Sequence, residues 1–273
     1  MHDYDKTRES WNRATLNHNR HKGDQAEFFR NGGNTLFPEE LEFLGDIKGQ
    51  TLVHLQCNCG QDTLSLAARG ANVVGVDFSE EAIGFAKKLS ADSGIKGEFE
   101  LSEVVNWMQN TDQRFDIAFA SYGATCWLPD LDAWAEGVQR VLKPGGRLVY
   151  VEFHPMLWCF AEDFSATEDD YFHPGPYIEP VNDYVATSGG GLLGSEECKP
   201  GENNIPATSW QHGLAKMIDT LARHGFRIEA AKEYPYSNGC CILEGLVEKE
   251  GRRYTWPEGI ASMPLMYGIS ASR

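Results

Sequence analysis

Residues 51 to 77, TLVHLQCNCGQDTLSLAARGANVVGVD, constrain the fold more tightly than any other stretch of the chain. An apolar run, Thr51 to Leu55, enters a tight polar loop that closes on Gly60. A short helical stretch follows and stops at Arg69-Gly70. A second apolar run, Val73 to Val76, then ends on Asp77. The order is strand, loop, helix, strand, with a carboxylate at the carboxyl end of the second strand. In open α/β sheets a ligand binds where the strand order switches, outside the carboxyl ends of the strands. A carboxylate placed there can accept hydrogen bonds from both vicinal hydroxyls of a ribose.

Two nucleoside-bearing ligands suit that geometry. A dinucleotide needs a G-x-G-x-x-G loop, whose backbone amides and helix N-terminus cradle a pyrophosphate. The loop here, Gln56-Cys57-Asn58-Cys59-Gly60, has one glycine, and Asp62 at the helix start would repel a diphosphate. S-adenosylmethionine carries no phosphate, so Asp62 is tolerated. The loop therefore favours S-adenosylmethionine and leaves an NAD(P)-dependent oxidoreductase as the alternative.

The pattern continues along the chain. A helix over 79–93 begins on the N-cap Ser79, with Glu80 and Glu81 in its first turn, where the helix dipole favours them. Strands are expected near 98–102 and at 115–121. A helix from about Asp130 sets Leu131, Trp134 and Val138 on one face, and Lys143-Pro144-Gly145-Gly146 breaks it before a strand over Arg147 to Phe153. Five strands alternating with helices argue a parallel sheet covered on both faces. A helix over 209–224 and strands at 226–232 and 263–271 bring the strands to seven.

Residues 1–46 read as short helices forming an N-terminal lid, with Tyr4 and Trp11 on one face. The main domain spans 47–273. Between 154 and 208 the alternation lapses into a proline-rich stretch holding an acidic patch, Glu162 to Asp170, and the run Gly189-Gly190-Gly191. Its aromatics favour an ordered cap insertion.

Composition narrows the partners. A net charge of −16 argues against nucleic acid, which is bound by clustered Lys and Arg. No run of 18 apolar residues marks a membrane span, and the polar start MHDYDKTRES is not a signal peptide. Seven cysteines, in no disulfide, zinc or iron–sulfur spacing, point to a cytoplasmic chain with reduced thiols and without a bound metal. A homo-oligomer stays open.

Four segments, in order and at these spacings, carry a resemblance: VHLQCNCGQDTLSLAARGA, VVGVDFS, FDIAFASYGATCWLPDL and LKPGGRLVYVE. The chain resembles the class I S-adenosylmethionine-dependent methyltransferases of the small-molecule type. The resemblance implies a Rossmann-like α/β fold, a mostly parallel seven-stranded sheet with helices on both faces. It also implies S-adenosyl-L-methionine as cofactor and a small-molecule methyl acceptor. By the same resemblance Asp77 holds the ribose and Phe78 flanks the adenine. Ser102, Glu103 and Val104 surround the adenine edge; Ala120, Ser121 and Tyr122 lie beneath the methionine. Gly60 is the kept glycine of the first motif, and Gln56 is positioned to meet the cofactor through its amide. His54, Gln56 and Asn58 stand where the family has an acid and two glycines, so a non-catalytic ligand-binding relative is the further alternative.

Methyl transfer asks mainly for alignment of nucleophile, methyl and sulfur, which can contribute ~7–11 kcal/mol at best. Where the acceptor must lose a proton, a general base adds a further factor. His154, directly after the fifth strand, is the candidate base. His54 reads as a core residue, and His18 and His21 line the site only if the lid folds over it.

Overall fold

The computed structural model describes residues 4–167, 170–173, 175–189 and 199–273. Part of the acidic patch and Gly190-Gly191 lie outside the described residues. Five strands, β1 (Thr51–Leu55), β2 (Asn72–Asp77), β3 (Glu98–Leu101), β4 (Phe115–Ser121) and β5 (Leu142–Phe153), run parallel. Two ribbon strands follow, β6 (Tyr177–Pro180) and β7 (Pro206–Ser209), then β8 (Arg227–Tyr234). The remaining strands are β9 (Tyr236–Asn238), β10 (Val247–Lys249), β11 (Arg253–Thr255) and β12 (Met266–Ser272).

The main sheet has seven strands in the order β3-β2-β1-β4-β5-β12-β8. Only β12 is reversed, pairing antiparallel with both β5 and β8. The order turns back between β1 and β4, and a ligand is expected at the carboxyl ends beside that switch point. The Rossmann-like, mostly parallel sheet expected from the alternation is what forms.

The helices are α1 (Tyr4–Asn19), α2 (Gln25–Arg30), α3 (Pro38–Leu44), α4 (Gln61–Ala68), α5 (Glu80–Ser93), α6 (Val104–Asn110), α7 (Leu131–Val141), α8 (Tyr184–Thr187) and α9 (Leu214–Arg223). Side chains of α7 fall at i, i+3, i+4, i+7: Leu131, Trp134, Ala135 and Val138 are all buried. They pack with Met217 and Leu221 of α9 onto Val53, Leu55 and Tyr150. Trp134 has no exposed surface, so truncation to alanine would cost ~3–5 kcal/mol. On the other face Leu44 and Ile47 pack with Leu66 of α4 against Leu52, Ile117, Phe119 and Val149. Helix α3 thus belongs to the core layer, while α1 lies against α5 and β7.

Two expectations need correction. The helix expected at 209–224 begins only at Leu214, because Pro206–Ser209 is taken up as β7 against β6 and Trp210 donates its amide to the Cys126 carbonyl. The small sheet β10-β11-β9 was not expected at all. It closes a satellite core of Leu157, Tyr254, Trp256 and Leu265 with Phe160 and Phe164.

Candidate functional site

The loop after β1 takes the backbone shape of a glycine-rich loop without the glycines. Gln56 and Asn58 adopt φ of 57° and 48°, and Gly60 adopts 75°. Asparagine tolerates the left-handed region because its short amide bonds locally, and here Asn58 Oδ1 accepts the Cys59 amide at 2.7 Å. Gln56 has no such compensation nearby. Its Nε2 instead donates to the Ala124 carbonyl at 2.6 Å, tying the β1 loop to the β4 loop. Tyr122, directly after β4, is a third left-handed residue at φ 42°. Such conformations cost ~1–3 kcal/mol each and persist only where the surroundings over-determine them. All three sit beside the switch point.

Gly60 is required for packing. A Cβ there would stand 2.7 Å from the Phe99 ring and 2.8 Å from Ala86. The glycine lets α4 begin tight against α5 and β3, which sets the floor of the crevice.

Asp77 is buried at the end of β2. Its Oδ2 accepts the Asn58 amide at 2.8 Å and its Oδ1 the Ser79 amide at 2.9 Å. Burial pushes its pKa up to about 6, against the pull of those backbone hydrogen bonds. Each oxygen keeps a further lone pair for a ligand hydroxyl. Phe78, next in the chain, packs in a cluster with Trp11 and Ala14 of α1, Val181 and Ala207.

The other residues singled out in the sequence fall around this point in different ways. Ser102 donates its amide to the Asp77 carbonyl at 2.9 Å, so the β3 end is fixed to the β2 end. Glu103 caps α6: its two oxygens accept the amides of Val105 at 2.9 Å and Asn106 at 2.7 Å. Val104 is a core side chain. Ala120 is buried, and Ser121 ends β4 opposite Val151.

Glu152 was not singled out, yet it shapes the loop after β4. Its buried carboxylate accepts the amides of Gly123, Ala124 (3.0 Å) and Thr125 (3.4 Å). A charge inside the apolar run Leu148 to Phe153 was the available signal, because a buried carboxylate must be hydrogen-bonded.

His154 is placed elsewhere. Its Nδ1 accepts the Met156 amide at 3.2 Å, so in the neutral ring Nε2 carries the proton and faces Glu233 of β8 at 3.2 Å. It lines an apolar cleft with Tyr171, Leu214 and Ile218, on the β12–β8 side of the sheet. Burial pushes its pKa down. Both ring nitrogens are engaged, and the structure does not bring His154 together with Asp77 and Phe78.

Helix α1 packs beside the end of β2 and the start of α5. Asn12 accepts the Ser79 hydroxyl at 2.6 Å and donates to Glu80 at 2.7 Å, and the Trp11 ring meets Trp127 edge-on at 5.2 Å. Asn19 donates to Cys59 Sγ at 3.3 Å. His18 Nε2 lies 2.9 Å from the Asn182 carbonyl, an acceptor, so Nε2 holds the proton and Nδ1 is a bare lone pair. Burial lowers its pKa to about 4, so the ring is neutral near pH 7. Buried atoms of the β1 loop and of α1 lack a partner within the protein: Gln56 Oε1, Thr15 Oγ1, His18 Nδ1 and Asn19 Oδ1. Buried polar groups are ordinarily satisfied, so such a concentration fits a polar ligand. His54, by contrast, is a core residue bonded to Thr63 at 2.8 Å, with its pKa lowered to about 3 by burial. Among the described residues no cluster of His, Cys, Asp and Glu could hold a metal ion, and no helix is long and apolar enough to cross a membrane.

Residues 53–146 match the family model described as a methyltransferase domain. An uncharacterized methyltransferase of Synechocystis is 36% identical over 133 residues, 47% of this chain and 60% of that protein. A demethylmenaquinone methyltransferase of Lactococcus lactis is 32% identical over 46% of this chain and 51% of its own. The chain therefore spans about half the length of these curated relatives. A solved S-adenosylmethionine-dependent methyltransferase of Mesorhizobium loti superposes with a TM-score of 0.57 over 86% of this chain and 96% of that one. At 19% identity this likeness speaks for the fold alone.

Proposed function

We propose that this chain, whose residues 53–146 match a methyltransferase domain and which is 36% identical over 133 residues to an uncharacterized methyltransferase, is a class I S-adenosylmethionine-dependent methyltransferase that transfers a methyl group to a small-molecule acceptor. The observation that carries this reading is Asp77, fixed by two backbone amides at the end of β2 with lone pairs to spare for a ribose. Phe78 supplies a face for the adenine, with Ser102 and the backbone of Glu103 and Val104 at its edge. Ser121 and Tyr122 lie under the methionine. Gln56 Oε1 is an acceptor suited to its ammonium. Gly60 acts indirectly, by allowing α4 to pack. The bound cofactor supplies a methyl activated by a sulfonium leaving group.

The protein's task is then to position and to exclude water. Helix α1 serves as the lid, with Trp11 over Phe78. Glu152 holds the 123–125 loop in place. A small acceptor is supported by the closed crevice, by the chain's net negative charge and by the relative named for demethylmenaquinone.

Two measurements test the reading. Thermal-shift titration should show stabilisation by S-adenosylhomocysteine and none by NADH. Incubation of the purified protein with S-adenosylmethionine and metabolite pools should yield S-adenosylhomocysteine with a ~14 Da gain on one acceptor, the mass of a methyl replacing a hydrogen. Stabilisation by the dinucleotide instead would return the chain to the oxidoreductase class.

A further inference from the structure

Beside the crevice, Tyr122 joins a second buried polar group that the cofactor reading leaves unused. The Tyr122 ring meets Phe37 edge-on at 6.1 Å and Phe153 at 5.3 Å, giving an aromatic wall. Asn238 of β9 donates from Nδ2 to Glu39 at 2.7 Å and to the Tyr122 hydroxyl at 3.2 Å. Glu39 also accepts from Tyr236 at 2.8 Å and pairs with Arg253, so its charge is met. The bond to Glu39 fixes the Asn238 amide, because an ionised carboxylate can only accept. Asn238 Oδ1 is thereby turned away, and it has no partner within the protein. Glu40, adjacent in the chain, spends Oε2 on the Phe37 amide at 2.5 Å and leaves Oε1 without a partner. Glu40 has no exposed surface and Asn238 only 2%. Glu39, Glu40 and Asp62 all bear electrostatically on the Tyr122 hydroxyl.

Two buried oxygens without a partner, Glu40 Oε1 and Asn238 Oδ1, both on groups that bear on the Tyr122 hydroxyl and lie beside carboxylates and aromatic rings, suit a ligand rich in donors. An ammonium is that group: it has three N–H bonds, no acceptor, and favourable contact with ring faces. A hydroxyl would bring one donor and an unwanted oxygen, and a carboxylate would be repelled. We propose that the methyl acceptor is a primary or secondary amine, bound as its ammonium by Glu40 Oε1 and Asn238 Oδ1 within the wall of Phe37, Tyr122 and Phe153. The inference rests on the methyltransferase reading and names the substrate class of that same site.

The same contact prepares the nitrogen. The ammonium passes one proton to the Glu40 carboxylate, which becomes the neutral acid, and the amine keeps the electron pair that its charged form lacked. Burial, with Asp62 and Glu39 nearby, favours the protonated form of Glu40 while the site is empty; the entering ammonium displaces that proton to solvent, holds the carboxylate ionised, and returns a proton to it in this step.

The experiment is calorimetry on the full chain saturated with S-adenosylhomocysteine, using phenethylamine, tryptamine, histamine and ethanolamine, and phenethyl alcohol and tryptophol as uncharged counterparts. At least one amine should bind, and the alcohols at least about tenfold more weakly, as expected when a charge-assisted bond is lost. Glu40→Gln keeps the shape and removes the charge. It should weaken the amine about tenfold or more while melting temperature and S-adenosylhomocysteine affinity stay at wild-type values. Alcohols binding as well as amines, none of the four amines binding, or an amine affinity indifferent to Glu40→Gln would each overturn the proposal. So would a loss of S-adenosylhomocysteine affinity in that variant, which would give Glu40 to the cofactor. Failure of the wild type to bind S-adenosylhomocysteine at all would bring down the methyltransferase reading itself, and this inference with it.

Discussion

Asp77 couples binding to pH at the scale of a single residue. Its pKa in the folded protein is about 6, above that of an exposed aspartate. A group raised in this way favours the folded state when protonated, so its contribution to stability declines as pH climbs from about 4 to about 6. Ligand binding runs the other way, because the ionised carboxylate is the better acceptor for ribose hydroxyls. S-adenosylhomocysteine affinity should hold above pH ~6 and weaken as pH falls through that value. Asp77→Asn should flatten the profile and cost ~1.5–3 kcal/mol of affinity at pH 7.5, read by calorimetry. A variant that binds as tightly as wild type would remove Asp77 from the site. Gly60→Ala tests packing: a Cβ driven into Phe99 and Ala86 should cost ~1–3 kcal/mol in urea unfolding. His154→Gln should leave turnover within about tenfold of wild type, since both ring nitrogens are already engaged. A general base at that position would cost ~10²–10⁴-fold. The acid at the end of β2 was legible in the sequence because the fold puts ligands there. The partners of His154 were not, because Glu233 lies 79 positions further along the chain.

Elements followed the periodicity wherever apolar residues repeat with a clear period. Strands β1 and β4 start and stop where expected, and α5 is one residue shorter at its start, with Ser79 as cap. Strand β5 begins early, at Leu142. The turn Lys143 to Gly146 is absorbed as an irregularity between the pairings Phe115–Leu142 and Ile117–Arg147. The small sheet of β9, β10 and β11 was illegible because three-residue strands carry no measurable alternation and draw their stability from Trp256 and its neighbours. Glycine-free φ values in the β1 loop were likewise hidden. Composition says which residues tolerate the left-handed region, and tertiary bonds such as Gln56 to Ala124 decide which are held there. Helix α1 carries the prediction at this scale. If it is the lid, S-adenosylhomocysteine should slow hydrogen exchange in α1 and around Asn182 and Asp183, and leave β8 and β12 unchanged. Equal protection at both ends would point to a global effect of binding.

For the molecule as a whole, the seven-stranded sheet supplies a rigid floor and the added segments supply the walls. The N-terminal helices, the β6–β7 ribbon and the 236–255 sheet all converge on the carboxyl edge near Tyr122 and Phe78. Sequence alone located that edge, because strand ends in this fold face one way. It did not foresee that Glu39 and Asn238, nearly two hundred residues apart, meet there. The most direct test is a crystal structure with S-adenosylhomocysteine bound. The account predicts ribose hydroxyls within hydrogen-bonding distance of the Asp77 carboxylate, adenine against Phe78 and α1 closed above. A ligand bound away from β1 and β2, with Asp77 touching only Asn58 and Ser79, would contradict it.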